Sequence, residues 1–520
     1  MSEKSTVPPA APAAAQGKGL AAGTLGLFGS TVIGLASTAP VYSLAATIGF
    51  VVLAVGAQAP IAMIIAFVPM FLTAYAYREL NRAVPDCGTA FTWATKAFGP
   101  WVGWLAGWGV AVAGIIVLAN LAQIGSKYLW LLTNNPDLYD NVFLVTATGV
   151  VFIAAMTFIS VRGLQIGERL QNVLLGIQYL ALALFVGLAF WAVFTGTAPE
   201  GSTVPQADWF NPFAFTSLSG FTEAILLCLF IYWGWDTCLA LNEETKDPKR
   251  TPGRAAVLST VILLVTYVAV TVAAMSFAGL GESGLGLGNE GNSEDVFFAL
   301  KDAVFGPWAW LLVIAVCVSA ISSTQTTILP TARGTLAMAT YRALPERFGR
   351  ISPKFRTPRF ATIFMSVVAV SFYVGMTLVS ENVLADTILS IGLAIAFYYA
   401  ITSFACVWYF RREIFTGARN FLFKGLFPLL GGLMLTAAFI QSAIDMYDPD
   451  YGYTVIFGIG GVFVIGIGSL ALGVVVMVVW FFFPGSKPFF RGESLNRETA
   501  VLVPEDEELP LLRSVDGGLM

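Results

Sequence analysis

Histidine is absent from all 520 residues, and charged side chains make up only 12% of them. The first absence removes the side chain that ordinarily carries protons near neutral pH and most often binds metals. The second excludes a soluble protein of this size, because ordinary soluble domains are about 25% charged. Cysteine is also sparse. Cys87, Cys228, Cys238, Cys317 and Cys406 are scattered, none in a pair on an outer loop, so no disulfide framework is implied. A membrane enzyme would need a nucleophile–base pair or a metal cluster, and the sequence assembles neither. No enzyme activity, cofactor, metal or nucleic-acid partner is therefore expected, and the sequence is silent on oligomeric state. A cleavable signal peptide is missing too: residues 1–18 are polar and Ala/Pro-rich, without a short apolar core before a cleavage site.

What is abundant is apolar: 57% of residues are hydrophobic and the mean hydropathy is +0.76. Runs of about 20 such residues span a bilayer. Twelve are counted, near 22–55, 58–80, 99–132, 142–160, 171–196, 217–242, 254–279, 303–341, 360–380, 384–410, 423–444 and 454–483. The reading is an all-α polytopic membrane protein of about twelve transmembrane helices, embedded in the lipid bilayer of the cytoplasmic membrane.

Placing the N-terminus inside and alternating sides leaves only Lys127 and Lys301 of the 28 Lys and Arg on the outside. The outer loops instead carry Asp137, Asp140, Asp208, Glu290, Glu294, Asp295, Asp448 and Asp450. This asymmetry supports cytoplasmic N- and C-termini. The tail 1–18 and the segment after about Pro484, with its acidic run Glu505–Glu508, read as disordered. The Gly-rich outer loop 280–302 can cover an outer vestibule or serve as a flexible connector. The basic loop 343–359 reads as a topology anchor.

Two apolar spans are interrupted at matching places in the two halves. The first carries GLASTAP (Gly34 to Pro40) and the second IYWGWD (Ile231 to Asp236). Pro40 donates no backbone hydrogen bond and disfavours helix at Ala39. Gly234 lowers the cost of unwinding among bulky aromatics. Broken helices survive in lipid only where they line a cavity or are buried in protein. Paired breaks point to the binding site of a secondary transporter. The architecture that brings them together is a five-plus-five inverted repeat with helices 1 and 6 unwound at the midplane. The repeats would occupy 19–200 and 201–412, followed by two further helices in 413–484 and a cytoplasmic tail, 485–520.

At the first break, backbone N–H groups of Ser37, Thr38 and Ala39 and the dipole of the following half-helix suit a carboxylate. The competing reading is that Ser37 and Thr38 back-bond within a kinked helix. At the second, carbonyls from Phe230 to Trp233 suit an ammonium, and Tyr232 and Trp233 can hold an organic cation by their faces. For Trp235 ordinary packing is the better reading. Asp236, one turn inside the break, can bind a proton, receive an amine, latch the inner gate or simply cap the half-helix. Glu223 is a second titratable candidate on the same span.

Three stretches resemble the amino acid–polyamine–organocation permeases: Ala74 to Trp108 (AYAYRELNRAVPDCGTAFTW…), Phe230 to Ala255 (FIYWGWDTCLALNEETKDPKRTPGRA) and Ala332 to Pro358. They are ordered, correctly spaced and spread over about 280 residues, and the type is that of a bacterial amino acid permease. The resemblance implies amino acid or amine transport by alternating access, as symporter or antiporter. It implies a substrate carboxylate at Ser37–Ala39, a backbone contact over Ile231–Gly234, an aromatic gate at Phe230 and an acidic position at Asp236. The fifth-helix position that holds a coupling Lys in some members is Gln178 here, which cannot titrate. Ser322 and Ser323 fall near hydroxyls that complete a sodium site in related folds, although close helix packing explains them equally. Arg333 matches a basic position and is expected in an ion pair with an acid such as Glu79. With no cation at any span centre and Asp236 and Glu223 available, the expected substrate carries an amine. A neutral or cationic amino acid comes first, an amine or polyamine second, and a non-transporting amine sensor is the alternative of another class. Protons are the expected coupling partner.

Overall fold

The computed structural model describes residues 17–379 and 381–502; residues before 17 and the acidic run Glu505–Glu508 lie outside the described residues. The first half contains α1 (Leu27–Ser37), α2 (Pro40–Val55), α3 (Ala59–Ala83), α4 (Ala90–Phe98), α5 (Pro100–Leu131), the single turn α6 (Pro136–Tyr139), α7 (Val142–Arg162) and α8 (Leu164–Thr195). The second contains α9 (Leu218–Ile231), α10 (Thr237–Ala240), α11 (Thr251–Ala278), α12 (Val296–Phe305), α13 (Trp310–Thr340), α14 (Arg359–Val379) and α15 (Glu381–Tyr409). The short α16 (Ala418–Asn420), then α17 (Phe427–Asp445), α18 (Gly461–Phe481) and α19 (Lys487–Phe490) complete the chain.

Ten segments among the described residues are long and apolar enough to cross a membrane. Two of the twelve expected spans run together in the 57-residue segment Leu27–Ala83, which bends at Gly56, and α9 has only 14 residues before it breaks. The one sheet among the described residues is a hairpin of β1 (Val455–Ile456) and β2 (Ile459–Gly460). It replaces the start of the expected span 454–483, because Phe457 and Gly458 both take positive φ (54° and 78°), as tight hairpin turns require.

Corresponding helices of the two halves pack on one another: α3 on α11, α5 on α13 and α7 on α14. The broken helices lie at the centre, α2 beside α9 and α1 beside α10. The described N-terminal end meets the loops 84–89 and 241–246, and the C-terminal end packs on α4 and Tyr341 beside them; this side is called here the terminal face and the opposite side the distal face. The segment 485–502, expected to be disordered, is packed there. Phe489 is buried and its ring lies 5.5 Å from that of Phe91, while Lys96 Nζ donates to the carbonyls of Asn496 (3.1 Å) and Thr499 (2.6 Å). Two adjacent phenylalanines supply the apolar anchor that the polar remainder lacks. The loop 280–302 folds over the distal face: Asp295 caps α12 by accepting from Phe298 N (3.0 Å), and α12 packs on α2.

Each break has an identifiable cause and closure. Ala39, preceding Pro40, adopts a left-handed conformation (φ 46°) and α2 starts at the proline. The carbonyl of Thr38 accepts from Ser43 Oγ (2.6 Å) and that of Ser37 from Ser323 Oγ (2.9 Å), so freed backbone groups find partners without water. Helix α9 stops at Ile231, whose carbonyl accepts from Tyr267 OH (2.8 Å). Gly234 then turns at φ 115° directly against the first break: a Cβ there would lie 2.7 Å from the Ser37 carbonyl oxygen and 3.1 Å from Thr38 N.

Gly234→Ala therefore meets both backbone strain, about 1–2 kcal/mol for a left-handed L-residue, and a steric clash. The expected outcome is a lower melting temperature and loss of transport, whereas Gly176→Ala on α8, with nothing within 4 Å, should leave both unchanged. Melting curves of the two variants in detergent test this; equal behaviour would refute the close-approach argument.

Candidate substrate site and gates

A cavity of about 370 Å3 descends from the distal face among α2, α5, α9, α15 and α17. Tyr42 and Phe230, which flank the two breaks, reach its wall together with Asn120 of α5. Tyr42 OH donates to Asn120 Oδ1 (2.6 Å); Asn120 is 1% exposed, and its Nδ2 has no partner among the described residues. An amide end left unpaired in this setting is unfavourable unless a ligand or water completes it. Glu294, from the loop before α12, is the one charged side chain on the wall among the described residues. Its neighbour Asp295 accepts from Tyr128 OH, and burial pushes its carboxyl up to about 6.

The expected site residues separate into three groups. At the first break Ser37 Oγ and Thr237 Oγ1 are 2.8 Å apart, joining the two breaks, while the Thr38 hydroxyl donates back to Leu35 O (2.8 Å). That is local back-bonding, and Thr38 N and Ala39 N likewise bond to Leu35 and Ala36 carbonyls. At the second break only Phe230 lines the cavity. Ile231, Tyr232 and Gly234 are buried behind it, Tyr232 donating to Met63 O (3.2 Å) and packing on Tyr267. Trp233 Nε1 donates to Tyr398 OH (2.5 Å). Trp235 packs between Tyr77 and Tyr399, as ordinary packing predicts.

Asp236 lies beneath this layer. It accepts from Tyr399 OH (2.9 Å) and Tyr398 OH (3.4 Å), makes no side-chain cap to α10, and has no cationic partner among the described residues. Through Tyr398 it is linked to Trp233, so the second break and α15 are joined by one hydrogen-bonded chain. Glu223 does not join it: the residue is exposed on the distal part of α9, off the cavity wall. Gln178 is fully buried with both amide atoms unpaired among the described residues. Ser322 donates to Gln171 Oε1 and Ser323 to Ser37 O, so both serines hold helices together.

Below Asp236 the terminal face is sealed by buried ion pairs. Arg333 is paired not with Glu79 but with Glu244, by Nε–Oε2 (2.5 Å) and Nη2–Oε1 (3.0 Å); Glu79 instead meets Arg419 (3.0 Å). The Arg fork matches a carboxylate in the plane it faces, and Glu244 is the one that the loop after α10 brings there. Outside this pair sits Lys18, a residue expected in a disordered tail. Its ammonium lies 2.6 Å from Asp86 and 2.5 Å from Glu243, with all three side chains 1% exposed or less. The backbone before α1 is strapped to the same loop, Leu25 N donating to Glu244 O and Lys246 N to Leu25 O. Asp86 also accepts from Tyr341 OH, Thr92 Oγ1 and Gly88 N, and Glu243 from Cys87 N. Asp86, Cys87 and Glu243 have metal-like grouping, but the Lys18 ammonium bridges the two carboxylates.

Burial opposes the Lys18 charge, yet Asp86 and the neighbouring acid outweigh it and hold the ammonium well above the usual lysine range. Burial likewise opposes ionised Asp86, but Lys18 and its hydrogen bonds keep that carboxyl below the usual range. A raised lysine loses its contribution only as pH climbs past its folded value, and a depressed carboxyl only as pH falls through its own, so the Lys18–Asp86 pair holds across neutral pH, while burial pushes the Glu243 carboxyl up.

Two helices broken at adjoining points, a cavity above them and a buried charge seal below define a polytopic membrane permease open toward one face. The chain belongs to the amino acid permease family, whose model matches residues 24–503. It is 23% identical over 429 residues to the low-affinity putrescine importer PlaP of Escherichia coli K12, covering 80% of this chain and 88% of that one. It is 24% identical to the methylthioribose transporter of Bacillus subtilis (59% and 65% covered). It is 26% identical to the branched-chain amino acid permease BcaP of Lactococcus lactis (38% and 43% covered).

Sequence reasoning did not single out Tyr42, Asn120 or the Lys18 clamp. Asn120 is legible in retrospect as one of two carboxamides, with Gln123, in an otherwise apolar stretch of α5; Lys18 carries no local signal, because its meaning lies in two acids far along the chain.

Removing one partner from a buried ion pair costs about 3–5 kcal/mol. Lys18→Met should therefore loosen the terminal face, and the buried Cys87 thiol beside the clamp reports it. With the other four cysteines replaced by alanine, maleimide labelling of Cys87 should accelerate by about 100-fold, at about 1.4 kcal/mol per tenfold. Unchanged labelling in a protein that still melts cooperatively would show that Lys18 does not hold this face shut.

Proposed function

We propose that this protein is a secondary active transporter that moves an amine-bearing solute, a neutral or cationic amino acid, across the cytoplasmic membrane by alternating access. The observation that carries the reading is the cavity that ends on Tyr42 and Phe230, one residue from each broken helix, with a carboxylate but no cation on its wall among the described residues. A wall of this sign favours positive charge and disfavours a dicarboxylic acid. The N-terminus of α2 supplies, through its dipole, the complementary end for a carboxylate. An amine or polyamine is the second reading, favoured by Glu294 and by likeness to a putrescine importer. Packing of corresponding helices on each other supports the five-plus-five repeat, with twelve crossings when the long first segment counts as two and α9–α10 as one.

In this reading the structure is the distal-open state. Asp236, under the cavity and held only by two tyrosine hydroxyls, is the coupling group: it takes a proton or the substrate amine, and its bonds to Tyr398 and Tyr399 break as the terminal face opens. Gln178, with its unpaired amide, takes the place of a titrating side chain and leaves the proton to Asp236. The clean separation of basic and acidic loops orients the terminal face toward the cytoplasm.

Thermal stability against matched amino acids and their decarboxylated amines tests the substrate class; binding at one hundred times the dissociation constant should stabilise by about 2.7 kcal/mol. Stabilisation by amino acids alone supports the carboxylate contact at α2, and stabilisation by amines alone replaces it with the polyamine reading. If a stabilising ligand is not taken up by sealed proteoliposomes, the protein is a sensor.

Asp236→Asn should leave the protein folded while abolishing the pH dependence of uptake, measured between pH 5 and 8. A pH profile identical to wild type would remove Asp236 from coupling.

A further inference from the structure

The transport path does not use the basic loop 343–359, yet that loop ends in two apolar grooves flanking α14. One, of about 860 Å3, runs between α7 and α14 along Ile153, Phe158, Val161, Val367 and Val370. The other, of about 520 Å3, adjoins it along α14, sharing Ile363 and Val367 with it and continuing over Phe360 and Phe364. Both end on cations at the terminal face: Arg162, Lys354 and Arg359 in the first, Arg350 and the shared Arg359 in the second. Among the described residues none of these four is paired with a carboxylate.

The cations are held in place without being neutralised. The Arg162 guanidinium lies 4.4 Å over the Phe158 ring and 5.7 Å from the Phe355 ring, and Lys354 Nζ lies 5.4 Å from Phe355. The loop is pinned to the end of α7 by Thr357 Oγ1 donating to Val161 O (2.9 Å), and closed on itself by Ser352 N donating to Thr357 O (2.9 Å). Deeper in the larger groove Ser366 is 4% exposed, and its hydroxyl has no partner among the described residues. It sits two turns along α14 from Arg359, about 10 Å at 1.5 Å per residue. Apolar walls and unpaired cations at the mouth match one ligand chemistry.

We propose that the grooves flanking α14 bind an anionic phospholipid, its phosphate at Arg162, Lys354 and Arg359 and its acyl chains along α7 and α14. Basic pockets between membrane helices on the positively charged side recognise such headgroups. The occupant would tie the loop 350–358 to α14, beside the end of α13 that carries Arg333.

Native mass spectrometry of the full chain in detergent tests this with phosphatidylglycerol, cardiolipin and phosphatidylethanolamine of matched chains. Phosphatidylglycerol and cardiolipin should be retained over phosphatidylethanolamine, and Arg162→Gln and Lys354→Gln should each weaken retention about fivefold. Val367→Trp, which fills the groove and leaves every charge in place, should abolish retention in a protein with a wild-type melting curve, and so keeps the test sharp if the charge variants insert poorly. Equal retention of phosphatidylethanolamine, or full retention by Val367→Trp, would overturn the proposal. Competition by glycerol phosphate as effective as by phosphatidylglycerol would also overturn it, by assigning the cations to a soluble anion.

Discussion

The organisation of this protein depends on one close approach, backbone to backbone, between two interrupted helices. Gly234 sits where no side chain fits, against the Ser37 carbonyl and Thr38 N, and Ser37 and Thr237 join hydroxyls across the same seam. Each break exposes polar backbone that lipid cannot satisfy. The cost is met locally by Ser43, Ser323 and Tyr267, each contributing a hydroxyl to a freed carbonyl. Those donors come from α2, α13 and α11, so the seam fixes where the surrounding helices must lie. Helix ends and their dipoles therefore meet at this seam, beneath the cavity that reaches Tyr42 and Phe230.

The two faces solve opposite problems with the same residue types. Toward the distal face, aromatic and apolar walls leave a cavity with an orphaned Asn120 amide end and a carboxylate at Glu294. Toward the terminal face, charges are buried in matched sets: Arg333 with Glu244, and Lys18 with Asp86 and Glu243. Such pairs add little net stability relative to apolar packing, but they are strongly position-specific, since breaking one leaves an uncompensated charge. That suits a seal meant to be wholly closed or wholly open. The chain before α1 takes part in it directly, so the helix that carries the first break is held by its own leading segment.

Much of this was legible from local chemistry. Apolar runs, the Ala39–Pro40 break and Gly234 among aromatics are short-range signals, and they mark the interruptions to within a few residues. The quoted stretches also contain Asp86, Glu243 and Glu244, although not their partners. Misreadings arose where a partner is distant. Arg333 was matched to Glu79 by analogy, but the loop after α10 delivers Glu244. Residues 485–502 read as polar tail, but Phe489 and Phe490 dock them beneath α5. Glu223, the weaker acidic candidate on the same span, shares the helix face of Leu226, Leu227 and Phe230, but it lies nearer the distal end of α9, exposed and off the cavity wall.

Sequence alone determined that the chain is an all-α membrane protein, where two of its helices break and which family motifs it carries, because hydropathy, proline and glycine act on the residues beside them. Tertiary structure alone decided which face is open, that Thr38 bonds into its own helix while Ser37 reaches Thr237, and that Lys18 seals the terminal face. Those outcomes depend on groups separated by up to 225 residues in sequence and brought within hydrogen-bonding distance. Hydrogen bonds and ion pairs act over a few ångströms, so only the packed chain sets which of the many possible partners each polar group meets.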